Sequence, residues 1–180
     1  YKDEAYKNKD KHDAFGGLRG GKYSLFDGGA HVPLLVYWKG TVRPFVSEEL
    51  VSQVDFFASM KALTGAEMDA GKDSQNLLDA LMGKGKGRES LIVEAKSRLA
   101  YRSGDYTLIP PYNGKNYRKS KRVELGNSPD YMLFNVKEDR KQKNDVSEQD
   151  KTVLERLKAE FHATVGDYYD VDITEKLNNK

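Results

Sequence analysis

Gly16–Trp38 reads G-G-L-R-G-G-K-Y-S-L-F-D-G-G-A-H-V-P-L-L-V-Y-W, and its two halves differ in character. Gly16, Gly17, Gly20 and Gly21 permit a sharply turning backbone that can approach a ligand closely, because glycine has no Cβ to clash. Arg19 and Lys22 sit in that frame, and Gly28 and Gly29 follow. Val32 to Trp38 is then a short apolar run, the pattern of a strand buried in a sheet. A cationic glycine loop feeding a buried strand suits an anion, which backbone N–H groups and a lysine can surround. The same residues equally suit an ordinary turn with solvated basic side chains, since such a loop is a weak motif by itself.

Composition narrows the classes. The chain has 180 residues, 32% charged and 38% hydrophobic, with a net charge of +2 and no cysteine. That length suits one domain, or one domain with a small appendage. The near-neutral balance carries no overall polyanion-binding signature, and disulfide or thiol chemistry is excluded within this stretch. No apolar run approaches the roughly 20 residues of a membrane-spanning helix, and no signal-peptide pattern is visible. A start at Tyr1 rather than methionine leads us to expect a piece of a longer or processed protein.

Outward from the glycine loop, Tyr1–Asp13 is a polar lead-in. Its His12 reads either as a substrate contact or as an ordinary exposed histidine. Downstream, Ser52 and Asp55 form an S-x-x-D capping arrangement that opens a helix, and Gly65 ends it. Phe56, Phe57 and Met60 are expected to be its core stripe. A short helix is expected over Gln75–Met82, capped by Asp73 or Ser74 and stopped by Gly83. From Glu89 the pattern changes to strands: Ser90–Ala95, then Arg98–Arg102 and Asp105–Ile109 around a Ser103-Gly104 turn. A further pair is expected between Arg122–Leu125 and Tyr131–Val136. Ser147 opens a last helix, with Val153, Leu154, Leu157, Phe161 and Val165 at helical spacing and Gly166 at its end. That stripe should pack on one face of the sheet. Asp170 and Asp172 in the tail are too few ligands for a calcium loop, and no metal is assigned there.

Tyr112–Arg122 stands apart. Lys115, Arg118, Lys119, Lys121 and Arg122 are interleaved with Tyr112 and Tyr117, and the segment has no acid. It reads as a solvated loop or as a surface for an anionic glycan. Nucleic acid is not expected as a partner, because no recognition fold is apparent.

Leu18, Arg19, Gly20, Lys22, Gly28, Gly29, Val32, Pro33, Trp38 and Gly40 together resemble the motif L-R-G-x-K-x-x-x-x-E-G-G-x-R-V-P-x-I-x-x-W-P-G of the type I sulfatases, the arylsulfatase-like branch of the alkaline phosphatase superfamily. Asp27, His31 and Lys39 depart from it, standing where glutamate, arginine and proline are usual. Looser matches continue in the family's order. Val51, Ser52, Asp55, Leu63 and Gly65 resemble its V-S-x-x-D helix, and A-Y-R-S-G-D-Y-T-L-I resembles its C-terminal A-x-R-x-G-x-x-K-L-I.

The resemblance implies that Lys22 contacts the sulfate of a substrate, as the family's motif lysine does, with Arg19 and His12 as further substrate-binding candidates. It implies a parent enzyme that hydrolyses sulfate esters of a small molecule or glycan, using formylglycine and calcium. The family's C/S-x-P/A-x-R nucleophile motif and its Asp-Asn or Asp-His metal pair are absent from this sequence, so the chain alone is expected to be inactive. The expected architecture is the C-terminal portion of an α/β to α+β sulfatase fold. Residues 1–88 would close the catalytic α/β domain, 89–166 would form an antiparallel sheet with a long helix, and 167–180 would be a tail. An extracytoplasmic location follows from the family's usual substrates. Unpaired sheet edges make self-association a risk. Two other readings remain open: a non-catalytic module for anionic glycans, and a phosphate- or phosphonate-ester hydrolase of the same superfamily.

Overall fold

The computed structural model describes residues 13, 15–67, 69, 71, 73–120 and 122–166. His12, Lys121 and the tail 167–180 lie outside the described residues. Two compact units are found: the described residues of Tyr1–His31 and Ile92–Lys180 form one, and Val32–Leu91 the other. This grouping differs from the expected 1–88 and 89–166 division. The glycine loop carries Leu25 and Phe26, which are buried with residues of the C-terminal sheet.

In the second unit, α1 (Asp55–Thr64) ends at Gly65, whose φ of 69° and N–H to the Lys61 carbonyl make the left-handed C-cap that glycine favours. Asp55 Oδ2 accepts the Ser52 N–H at 3.0 Å, which is half of the expected capping arrangement; the Ser52 hydroxyl does not complete it, and Val54 stands at the N-cap with no side-chain cap bond. The second helix, α2 (Leu78–Leu81), is shorter than expected. Ser74 does not cap it. Its hydroxyl accepts the Ala58 N–H and donates to the Val54 carbonyl, which ties it to α1 instead.

The expected core stripe of α1 is reversed. Asp55, Ala58 and Ser59 are its buried residues, while Phe57 and Met60 are 46% and 43% exposed. The expected buried strand Val32–Trp38 is also corrected. No strand is assigned there, and Leu35 and Tyr37 are 91% and 87% exposed. An apolar run becomes a buried strand only where neighbouring strands satisfy its backbone and cover its faces, and none of the described strands pairs with it.

The first unit holds the sheet. β1 (Ser90–Ala95), β2 (Arg98–Ser103), β3 (Tyr106–Ile109) and β6 (Met132–Asn135) lie in the order β1-β2-β3-β6. β3 is antiparallel to both β2 and β6. Ser103 pairs with Tyr106, so the turn is Gly104-Asp105, one residue later than expected. β4 (Tyr117–Arg118) and β5 (Val123–Glu124) form a separate two-stranded hairpin. The expected partnership of the 122–125 and 131–136 strands is therefore wrong. β5 pairs back on the basic segment, and β6 joins β3 with Leu133 opposite Leu108.

Alternation sorts the strands between two cores. Ala100, Ile109 and Phe134 pack with Leu25 and Phe26 of the glycine loop on one face. Tyr101, Leu108 and Leu133 pack with Leu157 and Phe161 of α3 (Lys151–Val165) on the other. The antiparallel sheet against a long terminal helix is thus as the sequence reading has it, and the loop that carries Lys22 is anchored to the opposite face.

Two buried or half-buried carboxylates set an acid limit. Burial pushes the Asp55 carboxyl up, but hydrogen bonds from Arg88 and from the Gln75 and Ser52 N–H groups outweigh it and leave it below its ordinary value. Hydrogen bonds from Arg19 lower Glu124, against the opposing effect of its burial. A group depressed on folding stabilises the fold above its unfolded value, about 4 for these side chains, and loses that contribution as pH falls through the lower folded value. Urea midpoints should therefore hold steady from pH 7 to about 5 and fall below about pH 4. A midpoint unchanged to pH 3 contradicts both assignments.

Candidate functional site

The glycine loop folds back on itself. Gly20 adopts a φ of 85°, and a Cβ on Gly29 would meet the Ser24 carbonyl oxygen at 2.2 Å. The Gly28 N–H donates to the Arg19 carbonyl at 2.9 Å, and the Leu25 N–H donates to the Leu125 carbonyl at 3.0 Å. Every N–H from Ser24 to His31 finds an acceptor. The N–H groups of Lys22 and Tyr23 find none among the described residues. These packing demands explain the glycines as well as an anion would. They leave Lys22 at the outer turn, exposed, with no carboxylate in ion-pair reach among the described residues.

Arg19 is corrected as a substrate-binding candidate. Its Nε and Nη2 donate to the Glu124 carboxylate at 2.8 and 2.6 Å, and Nη1 donates to the Gln142 carbonyl at 2.5 Å. The guanidinium also lies 3.9 Å from the Phe26 ring centroid. All three nitrogens are engaged in joining the loop to the β4–β5 hairpin and to the segment after β6, so Arg19 holds the loop in place. His31, where the family has arginine, faces Asp27 at 3.6 Å and keeps an acid–base pair at that position.

Of the expected glycan-binding residues, Arg118 reaches the neighbourhood of Lys22. Its guanidinium is 4.9 Å from the ring centroid of Tyr23. Lys115, Lys119 and Arg122 are exposed elsewhere on the segment. Lys22 itself lies 5.3 Å from the same ring, and Lys96, which the sequence reading did not single out, lies 5.6 Å from it. Tyr23 has a φ of 81°, a left-handed conformation costly for a bulky residue. Its position directly after Lys22 was the signal that could have drawn attention to it.

Arg98 fixes this corner from below. It is 5% exposed. It donates from Nη2 to the Tyr23 carbonyl at 2.6 Å, from Nη1 to the Leu125 carbonyl at 3.1 Å and to the Asn127 side chain, and from Nε to the Ala95 carbonyl at 3.1 Å. One buried side chain thus joins the backbone beside Lys22, the end of β1 and the strand-exit of β5.

Among the described residues no group of three or more His, Asp or Glu side chains is placed to hold a metal ion. These residues therefore do not fit the calcium site that the resemblance implies, and no chemical step is assigned to calcium through them. No described helix is long and apolar enough to cross a membrane.

Comparisons with known proteins bear on this geometry directly. The family model described as Sulfatase matches residues 10–66. The chain is 34% identical over 161 residues to an N-acetylgalactosamine-6-O-sulfatase of Bacteroides thetaiotaomicron, covering 87% of this chain and 32% of that protein. It is 36% identical over 97 residues to arylsulfatase A of Bos taurus, covering 49% of this chain and 19% of the relative. A solved structure from work on the metabolism of multiple glycosaminoglycans by Bacteroides thetaiotaomicron superposes with a TM-score of 0.83 at 31% identity, over 91% of this chain and 35% of the other. A sulfatase from Pseudoalteromonas sp. shares the fold at 21% identity and a TM-score of 0.62, over 84% of this chain and 33% of the other. The chain spans about a third of the length of the first of these relatives and of the solved structures. The glycine-loop motif, the antiparallel sheet with its terminal helix, and these similarities agree, and together they support reading the chain as a part of a sulfatase.

Proposed function

We propose that the complete protein carrying this chain hydrolyses sulfate esters of a glycan, and that this chain supplies Lys22 as the cation that holds the sulfate. The observation that carries the reading is Lys22 itself: exposed, unpaired with any described carboxylate, and presented by a loop anchored through Arg19 and Arg98. A preorganised ammonium stabilises the charge on the transferred sulfuryl group without reorganising during reaction. In the family, formylglycine supplies the nucleophile and calcium polarises the sulfate. In this reading both come from parts of the protein outside this chain, so the chain alone does not turn over substrate. The similarity to an N-acetylgalactosamine-6-O-sulfatase favours a 6-sulfated hexosamine as the first substrate to try. A location outside the cytoplasm, where sulfated glycans are met, belongs to the same proposal.

The reading is tested by giving the complete protein a 6-sulfated N-acetylgalactosamine and its 6-phosphate counterpart. Sulfate release far above phosphate release is expected. The reverse preference assigns the protein to phosphate-ester hydrolysis instead.

The exposed apolar residues of Val32–Leu91 belong to this proposal too. Val32, Leu35, Tyr37, Trp38, Phe45, Val46, Phe57 and Met60 are all at least 43% exposed, more than scattered surface apolar residues ordinarily show. In the complete protein they face the remainder of the catalytic domain. The 180-residue chain by itself should therefore self-associate, and sedimentation velocity at micromolar concentration checks this. A monodisperse monomer contradicts it.

A further inference from the structure

Three positive side chains, from three separate segments, lie close to the ring of Tyr23. Lys22 comes from the glycine loop, Lys96 from the β1–β2 turn, and Arg118 from β4, at 5.3, 5.6 and 4.9 Å from the ring centroid. No described carboxylate forms an ion pair with any of the three. The nearest acid along the turn, Glu94, accepts the Ser97 N–H and so serves the backbone. Like charges gathered without a counter-ion repel one another, and an anion relieves that repulsion.

The cluster is also held at some conformational cost. Lys96 and Ser97 have φ values of 55° and 63°, the type I′ geometry that Asn-Gly fills best. Tyr23 is left-handed as well. Backbone strain of this kind, in three residues around one spot, is what functional sites retain. The buried Arg98 ties together the Tyr23 carbonyl, the Ala95 carbonyl at the end of β1 and the Leu125 carbonyl after β5. Arg98 thus links the glycine loop and the β1–β2 turn to the exit of β5, the strand that pairs with the Arg118-bearing β4. The Tyr23 hydroxyl has no hydrogen-bond partner among the described residues, so it can donate to an incoming oxygen.

We propose that Tyr23, Lys96 and Arg118 form a second anion subsite beside Lys22, which takes the carboxylate or second sulfate of the sugar adjoining the one that is desulfated. This rests on the sulfatase reading above. It adds that the preferred substrate is an oligosaccharide with an anionic neighbour, and that this corner of the chain selects it. The carboxylate and sulfate share one chemistry, an oxyanion held by charge-assisted hydrogen bonds.

The test uses the complete protein and measures kcat and KM for sulfate release from three probes. These are 6-sulfated N-acetylgalactosamine, the same sugar bearing a neighbouring uronate, and that disaccharide with its carboxyl reduced to an alcohol. A sulfated, carboxyl-reduced disaccharide serves as a fourth arm to separate a second sulfate from a carboxylate. The anionic neighbour should lower KM about tenfold, the size of one good charged contact. Lys96→Gln and Arg118→Gln should each remove most of that gain and flatten its dependence on salt, with thermal unfolding confirming that the variants fold. Ser97→Gly, which relaxes the turn while keeping Lys96, should retain the gain. If the monosaccharide is cleaved but the anionic neighbour brings no gain, or the gain survives both glutamine variants, the subsite is overturned while the sulfatase reading stands. If no sulfated sugar is cleaved, the sulfatase reading fails and the subsite falls with it.

Discussion

Lys22→Ala in the complete protein should lower kcat/KM for sulfate release by about 10²–10³-fold, the loss seen when one preorganised donor to a developing oxyanion is removed. The lysine is exposed and makes no hydrogen bond or ion pair among the described residues, so the variant should keep its fold and its melting temperature. That separates it from Arg19, which joins the glycine loop to Glu124 and Gln142. Arg19→Ala should lower activity and stability together. Lys22→Arg retains charge but changes reach and shape, and should recover only part of the rate. Steady-state sulfate release, with a thermal melt on each variant, checks the set. Near-normal kcat/KM in Lys22→Ala removes this residue from the sulfate site.

Arg88→Met should destabilise the Val32–Leu91 unit by about 3–5 kcal/mol, because it strands a buried charge. Asp55 is fully buried and accepts Arg88 Nε at 2.7 Å and Nη2 at 2.5 Å. Arg88 also donates to the Asp73 carbonyl. Losing the guanidinium leaves the carboxylate with the Ser52 and Gln75 N–H groups alone. Arg88→Lys keeps the charge but not the two-pronged geometry, and should fall between. The melting temperature of the complete protein should drop by roughly 3–5 °C in Arg88→Met if this unit unfolds together with the rest of a protein about three times as long. A shift of one or two degrees contradicts the assignment of this pair as the unit's buried ionic anchor.

How much was legible in the sequence follows from how local each feature is. α1 with Gly65, the β2–β3 hairpin, and the end of α3 at Gly166 rest on short-range periodicity and punctuation, and they stand nearly where those signals put them, whereas the expected Ser147 start is wrong: α3 begins at Lys151, with Asp150 at its N-cap and no side-chain cap bond. The part played by Arg19 was not legible, because its partner Glu124 lies 105 residues away. Asp55 read as a cap for a similar reason: Arg88 is 33 residues on, and nothing in the pattern of either neighbourhood pairs them. The Val32–Trp38 run carries the pattern of a buried strand, yet burial depends on neighbours that the described residues do not provide. β6 found β3 rather than β5 because Leu133 and Phe134 fit both cores, a tertiary preference that alternation alone does not rank. Lys22 stands out in the sequence through its motif, and its role belongs to the proposal above. The Tyr23–Lys96–Arg118 corner was not, since folding brings it together from three segments.

The most direct measurement of the central claim is a structure of the complete protein with a 6-sulfated N-acetylgalactosamine bound. A sulfate oxygen is expected within ordinary hydrogen-bond distance of Lys22 Nζ, about 2.7–3.2 Å, with Arg19 still on Glu124. A sulfate held elsewhere, with Lys22 left in solvent, contradicts that claim.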